Sequence, residues 1–413
     1  MAMSSTFGAL RPTAHPLMVL LSGHGGVAAL TLTRNIVAAR LIGAEQFGIA
    51  AGFAIIISAV EMATTLGVQQ MIVQDREGDE VGFLSSLHLV QLMRGMFGAF
   101  VIFAFAEAIS RFLGNPDTAW AIRTLALIPL LTGLVHLDAW RYQRAARFGP
   151  SVIIQIGPAL LALLLIWPLH KNFMDFRILL IAALVQAAGV LLMSHLVAER
   201  RYVAAFQAAH LRRVLQFGYP LALNGLLLLA VFHGEKLLVG HLRGATDLAV
   251  LAMGFTLTLT PALILGKSLQ SYALPTLSAA RDDSDSFRAN ANNLLRLCLW
   301  LGVALSLALS LLSPVVPRLL GQGFEPLGAL FPILAALHGI RVIKTGVSVS
   351  ALALGASANT AWGNVPRVLA LPIIYLALQQ GSTVEDILWI AITAEAAGLF
   401  AAFALLKYRM DRL

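Results

Sequence analysis

This sequence is poor in charge. Only 12% of its 413 residues are Asp, Glu, Lys or Arg, while 58% are hydrophobic. A soluble domain carries about 25% charged residues, so the two or three soluble domains that the length would allow are excluded. Cys298 is the single cysteine, which rules out an intramolecular disulfide; it lies in an apolar run and is expected in the core. Catalytic signatures are missing too. There is no glycine-rich phosphate loop of the Gly-Lys-Ser/Thr type, no His-Glu-x-x-His, no cysteine pair and no Gly-x-Ser-x-Gly. The chain is therefore read as a non-enzyme, with no cofactor and no ATP hydrolysis of its own. Any energy would come from an ion gradient, the membrane potential or consumption of product.

What the sequence has is long apolar runs. A membrane helix needs about 20 such residues, and the pattern predicts an all-α integral membrane protein. About twelve spans are expected, at 15–38, 48–67, 83–107, 118–138, 151–169, 177–198, 216–240, 247–274, 293–313, 327–350, 366–380 and 386–407. The segment before the first run carries one Arg, and no small-x-small cleavage site follows it, so that run is expected to stay as a span. The net charge of +8 does not point to nucleic acid, because the basic residues gather in short loops rather than in a basic domain. Arg141, Arg144, Arg147, Arg200, Arg201, Arg212 and Arg213 share one face with further Lys and Arg, and the other face holds fewer. That imbalance predicts both termini inside and an even number of spans.

A short repeat marks the midpoint. Arg40-Leu41-Ile42-Gly43-Ala44 aligns with His241-Leu242-Arg243-Gly244-Ala245, each between the first and second spans of a half. An acidic patch follows each second span, at 75–80 and 281–285. Six spans per half give both halves the same orientation, a parallel repeat with the substrate site between them. The expected lobes are 1–200 and 216–413, joined by a basic cytoplasmic linker at 201–215.

The stretch Ala39-Arg40-Leu41-Ile42-Gly43-Ala44-Glu45-Gln46-Phe47-Gly48 resembles the A-R-x-L-G-x-E-x-[YF]-G signature of bacterial oligosaccharide flippases. These form the polysaccharide transporter family of the multidrug/oligosaccharidyl-lipid/polysaccharide exporter superfamily. Leu66-Gly67-Val68-Gln69-Gln70-Met71-Ile72-Val73-Gln74, Arg144-Ala145-Ala146-Arg147-Phe148 and Leu274-Pro275-Thr276-Leu277-Ser278 with Arg281-Asp282-Asp283 are similar to later family patterns. Two departures stand out: Ala44 and Gln46 replace the common Pro and Glu, and some relatives have fourteen spans. The resemblance implies a V-shaped two-lobe bundle that moves undecaprenyl-pyrophosphate-linked sugars across the bacterial cytoplasmic membrane. It makes the lipid-linked oligosaccharide and membrane lipids the partners, with a polysaccharide polymerase or other assembly proteins alongside.

The few charges inside the spans are the candidate site. A charge in hydrocarbon costs roughly 2.5–3.5 kcal/mol even on the mild insertion scale. Arg34 follows Thr31 and Thr33, with Ser22 and His24 earlier; it either grips a pyrophosphate or snorkels to the interface. His88, Gln91 and Arg94 share one side of the third span. His338, Arg341, Thr345 and Ser348 form a second stripe, with Lys344 beside it. Lys267 lies deep in its span, as a cavity cation or paired with an acid such as Glu395. Glu61 is the candidate for ion coupling, or a salt-bridge partner of Arg34 or Arg94. An excess of cations suggests an anionic cargo, which disfavours a drug exporter of the same fold. A polymerase or ligase would need a large outer loop, and none is long enough here.

Overall fold

The computed structural model describes residues 14–145, 147–356 and 358–412. Side chains up to residue 24 lie outside the described residues, and with them the expected Ser22 and His24. Every regular element is helical among the described residues. The first half of the chain holds α1 (Ala14–Ala63), α2 (Val68–Gln74) and α3 (Val81–Phe112), then a 3-10 turn (Pro116–Thr118). It continues with α4 (Ala119–Leu125), α5 (Leu127–Gly133), α6 (Asp138–Arg144), α7 (Gly149–Leu164), α8 (Ile166–His170) and α9 (Arg177–Val197). The second half holds α10 (Ala208–Arg243), α11 (Ala245–Ala279), α12 (Ser284–Ser310), α13 (Val316–Leu320) and α14 (Leu327–Ala353). It ends with α15 (Ala358–Trp362), α16 (Val365–Gln379) and α17 (Val384–Met410).

Ten helices among the described residues are long and apolar enough to cross a membrane, eleven if the pair bent by 47° at residues 116–144 is one span. Twelve separate spans were expected. The difference arises mainly at α1, where one residue interrupts the helix. Gly43 leaves the helical region at φ 76° and ψ 171°. The chain doubles back there: Val27 and Glu61 line one cavity, although a straight helix would set them about 50 Å apart. Gly244, its counterpart in the sequence repeat, has φ 90° and ψ −175°, and Leu228 and Lys267 again line one cavity. Only glycine tolerates this positive φ without strain, so each repeat glycine makes a hairpin of two helices.

The two hairpin turns pack against each other. A Cβ on Gly48 would overlap the Ala245 carbonyl oxygen. Ala38, Ala39, Ala44, Phe47 and Ala51 share one buried cluster with Val239, Phe255, Phe324, Phe331 and Leu334. Small residues on the first hairpin let the helix backbones approach closely, which is how membrane helices gain packing energy without a hydrophobic drive.

A pair of crossed contacts strengthens this end. Arg40 Nη1 donates to the carbonyls of Arg318 (2.8 Å) and Leu319 (3.0 Å). His241 Nδ1 lies 2.6 Å from the Phe112 carbonyl, and its ring stacks on Phe112 at 4.2 Å. Arg40 and His241 are equivalent in the repeat. So are their targets, Arg111-Phe112-Leu113-Gly114 and Arg318-Leu319-Leu320-Gly321. Each half thus reaches across to the other half's third-helix turn.

Ion pairs lie at the opposite end. Asp75 and Glu77 pair with Arg213 at 2.6 and 2.7 Å, and Asp79 lies between Arg141 and Arg200. Arg144 caps the end of α2 by donating to the carbonyls of Ile72, Val73 and Asp75. The segment 201–215 is irregular to Gln207 and helical beyond it.

Candidate functional site

Three adjoining cavities run from one half to the other: the first is lined by the first half, the second by both and the third by the second half. The largest, about 620 Å³, is lined by Glu61, Thr64, Gln69, Gln91, Arg94, Thr132, Trp140, Gln155 and Gln186. The second, about 360 Å³, shares Glu61, Gln69, Gln91 and Arg94 with it and adds Gln70 and Asn224. The third, about 350 Å³, meets the second at Leu228 and is lined by Lys267, Gln270, Arg341, Lys344, Thr345, Ser348 and Asn364.

Helix geometry decides which candidates meet. Gln91 and Arg94 face the first two cavities from α3. Gln91 donates through Nε2 to the carbonyls of Thr132 and Val135, both at 3.0 Å, which leaves its Oε1 free. Both carbonyls lie where the α4–α6 stretch bends, and that of Thr132 also accepts from the Val135 amide at 3.3 Å, so the side-chain amide caps a broken helix. Arg94 Nε donates to Thr64 Oγ1 at 3.2 Å. Glu61 lines the same two cavities, and no ion pair within 4 Å joins it to Arg94 among the described residues.

His88 does not join Gln91 and Arg94. Its Nδ1 lies 3.2 Å from the Val203 carbonyl and its Nε2 accepts from the Leu137 amide at 3.1 Å. The ring is buried beside His136 and Tyr202. A three-residue step lags a full turn by about 60°, so two steps carry His88 off the face that Arg94 occupies.

Arg34 lies away from the third cavity. Its Nη1 donates to Gln186 Oε1 at 2.6 Å, and its side chain lines a fourth cavity of about 270 Å³ with His233 and Lys236. Buried Lys236 sits 5.1 Å from the Phe255 ring centroid. Sequence reasoning missed Lys236, because it stands near the end of the predicted span 216–240, where a basic residue is ordinary.

Lys267 is exposed to the third cavity, and no ion pair involves it among the described residues. The anticipated partner, Glu395, is engaged elsewhere. Fully buried, it pairs with Lys344, with Arg341 Nη2 at 3.1 Å and with Arg367 Nε at 3.7 Å. Arg367 Nη2 lies 2.7 Å from Glu235 Oε1, off the N–H axis, so that contact is ionic rather than a hydrogen bond. Lys344 also donates to Asn364 Oδ1 at 3.2 Å. His338 is buried behind this network, 2.8 Å from Thr258 Oγ1. Arg341 and Lys344 therefore have two environments: one side faces the cavity, the other a buried carboxylate. Arg367 and Glu235 carried no sequence signal, since Arg367 stands at a predicted span end where a basic residue is ordinary.

Among the described residues no group of three or more His, Cys, Asp or Glu could hold a metal ion. What the arrangement offers is a polar path from one helical half to the other, with fixed cations at the second-half end.

Comparison with known proteins places this architecture. Residues 37–328 match the family described as polysaccharide biosynthesis protein. The chain belongs to that family. Its relatives include the lipopolysaccharide biosynthesis protein WzxC of Escherichia coli strain K12, 22% identical over 330 residues. That match covers 77% of this chain and 65% of WzxC, so the chain spans less than two thirds of that relative. Solved structures share the fold along nearly the whole chain. A multidrug resistance MATE family transporter of the MOP superfamily aligns in its inward-facing form with TM-score 0.72 at 12% identity, covering 97% of both chains. Its outward-facing form gives 0.65 at 13% identity, with 96% of each covered. A MOP superfamily transporter from Pyrococcus furiosus, reported with reverse polarity of its binding pocket, gives 0.62 at 13% identity over 95% and 94%. This family member is thus a multi-pass membrane protein with the MATE-like MOP fold. Its motif resemblance to the polysaccharide transporters agrees with the family match.

Proposed function

We propose that this chain is an alternating-access flippase for undecaprenyl-pyrophosphate-linked oligosaccharide, working in surface polysaccharide synthesis. The observation that carries the reading is the third cavity: Lys267, Arg341 and Lys344 line it, and among the described residues no carboxylate does. Fixed ammonium and guanidinium groups suit a diphosphate, which accepts charge-assisted hydrogen bonds. The membership in a polysaccharide biosynthesis family and the likeness to WzxC support the sugar-lipid cargo.

In this reading the halves 1–200 and 216–413 rock about the hairpin end, and 201–215 joins them on the cytoplasmic side. The membrane is the bacterial cytoplasmic membrane, with both termini inside, as the loop charges favour. Lys267, Arg341 and Lys344 hold the anionic head while the lipid tail stays in the bilayer; Arg94 lines the rest of the path, and Arg34 positions Gln186 on its wall. Glu61 faces the same path and carries the coupling proton or sodium ion. A polysaccharide polymerase or another assembly protein takes the product outside.

The test is a deletion strain assayed for surface polymer and for sugar-loaded undecaprenyl pyrophosphate. Loss of polymer with build-up of the loaded lipid, rescued by wild type and not by Lys267→Gln or Arg34→Ala, is expected. Unchanged polymer with altered sensitivity to cationic drugs would replace the flippase with a drug exporter.

A further inference from the structure

The cavities differ in chemistry from one half to the other. Among the described residues the third cavity has three lining cations and no lining carboxylate. The first two have six side-chain amides between them, at Gln69, Gln70, Gln91, Gln155, Gln186 and Asn224. Their only lining charges among the described residues are Glu61 and Arg94, of opposite sign. Four of these amides, Gln69, Gln70, Gln155 and Asn224, make no side-chain hydrogen bond among the described residues. Gln91 keeps a free Oε1, and Gln186, whose Oε1 is taken by Arg34, keeps a free Nε2.

We infer that the vestibule is divided by ligand chemistry: the amide-lined first-half end binds an uncharged sugar unit, and the cationic second-half end binds the diphosphate. This deepens the flippase reading and rests on it. A carboxamide offers two donors and an acceptor, so a wall of amides meets sugar hydroxyls, which both donate and accept. Trp140, on the same wall, adds an apolar face for the sugar ring. A fully anionic sugar gains nothing there, because Glu61 opposes whatever Arg94 attracts. The junction at Leu228 sets the boundary, with the cations beyond it. Specificity for the sugar therefore resides in α2, α3, α7, α9 and the Asn224 turn of α10, whereas Lys267 and its neighbours read only the part common to every lipid-linked unit.

The experiment compares two probes on the purified full-length protein. One is undecaprenyl pyrophosphate without sugar; the other is the loaded lipid extracted from the deletion strain. Gln69→Ala/Gln155→Ala is expected to weaken the loaded lipid about tenfold, the effect of losing a few modest hydrogen bonds, until it binds like the bare lipid. Lys267→Gln is expected to weaken both probes alike. Composition analysis of the extracted lipid should find no uronic, sialic or phosphorylated sugar. The division is overturned if the amide variant weakens the bare lipid as much as the loaded one, or if the extracted sugar is acidic. Wild-type protein that binds neither lipid would overturn the flippase reading itself, and the division with it.

Discussion

Substituting Gly48 tests whether the hairpin end is the closed side of a rocking transporter. An alanine Cβ there would overlap the Ala245 carbonyl oxygen, a backbone atom at the start of α11 with no flexible end to yield. Overpacking a tight contact costs about 1–3 kcal/mol, and the penalty falls only on the conformation in which the two turns touch. At tenfold per ~1.4 kcal/mol, Gly48→Ala should shift the balance toward separated turns by roughly five- to 150-fold. Spin labels at Glu45 and Arg318 would report it, in a Cys298→Ala background because Cys298 is the only native cysteine. A second, longer distance population should grow in Gly48→Ala. Gly157→Ala, where a Cβ meets nothing within 4 Å, should match the unsubstituted background. A folded Gly48→Ala protein with the background's distance distribution would refute the claim that this contact holds the end shut.

Other perturbations follow from the same geometry. Arg367→Met leaves Glu235 and Glu395 short of a cation; breaking a buried pair costs about 3–5 kcal/mol, and thermal unfolding in detergent should show a large loss that added Glu235→Gln partly recovers. Arg40→Ala removes two hydrogen bonds of roughly 0.5–1.5 kcal/mol each, so a cysteine at Leu319 should label faster. Arg213→Ala should change little, under about 1 kcal/mol, because its side chain is 42% exposed; a marked fall in unfolding temperature would contradict this.

The hairpins were legible from the sequence because one short motif, around Gly43 and Gly244, recurs between the first and second spans of each half. Lys267 was legible because a lone cation deep in an apolar run has few places to go. Partnerships were not legible. Glu395 was the alternative partner for Lys267, but its neighbours are Arg341, Lys344 and Arg367, on two other helices. Pairing across helices depends on rotation about each axis, which the spacing along one helix does not fix. The same limit misplaced His88, whose spacing to Arg94 was counted in steps of three when the turn needs 3.6. The amide wall escaped notice for another reason: Gln69, Gln155 and Gln186 come from three separate segments, and glutamine scattered through apolar runs forms no motif.

The crossed contact at Arg40 also sets a schedule for assembly. Its acceptor carbonyl at Arg318 lies 278 residues further along the chain. At a synthesis rate of about 5–20 residues per second, the first hairpin waits roughly 14–56 s for that partner to be made. Through that interval Ala38, Ala39 and Ala44 have lipid, or the insertion machinery, where Val239, Phe255 and Phe324 will later pack. Their small side chains make the wait tolerable, since an alanine surface has little to stick to. A bulky apolar residue at Ala39 would therefore harm biogenesis before it harmed transport, and would show first as lost membrane insertion yield.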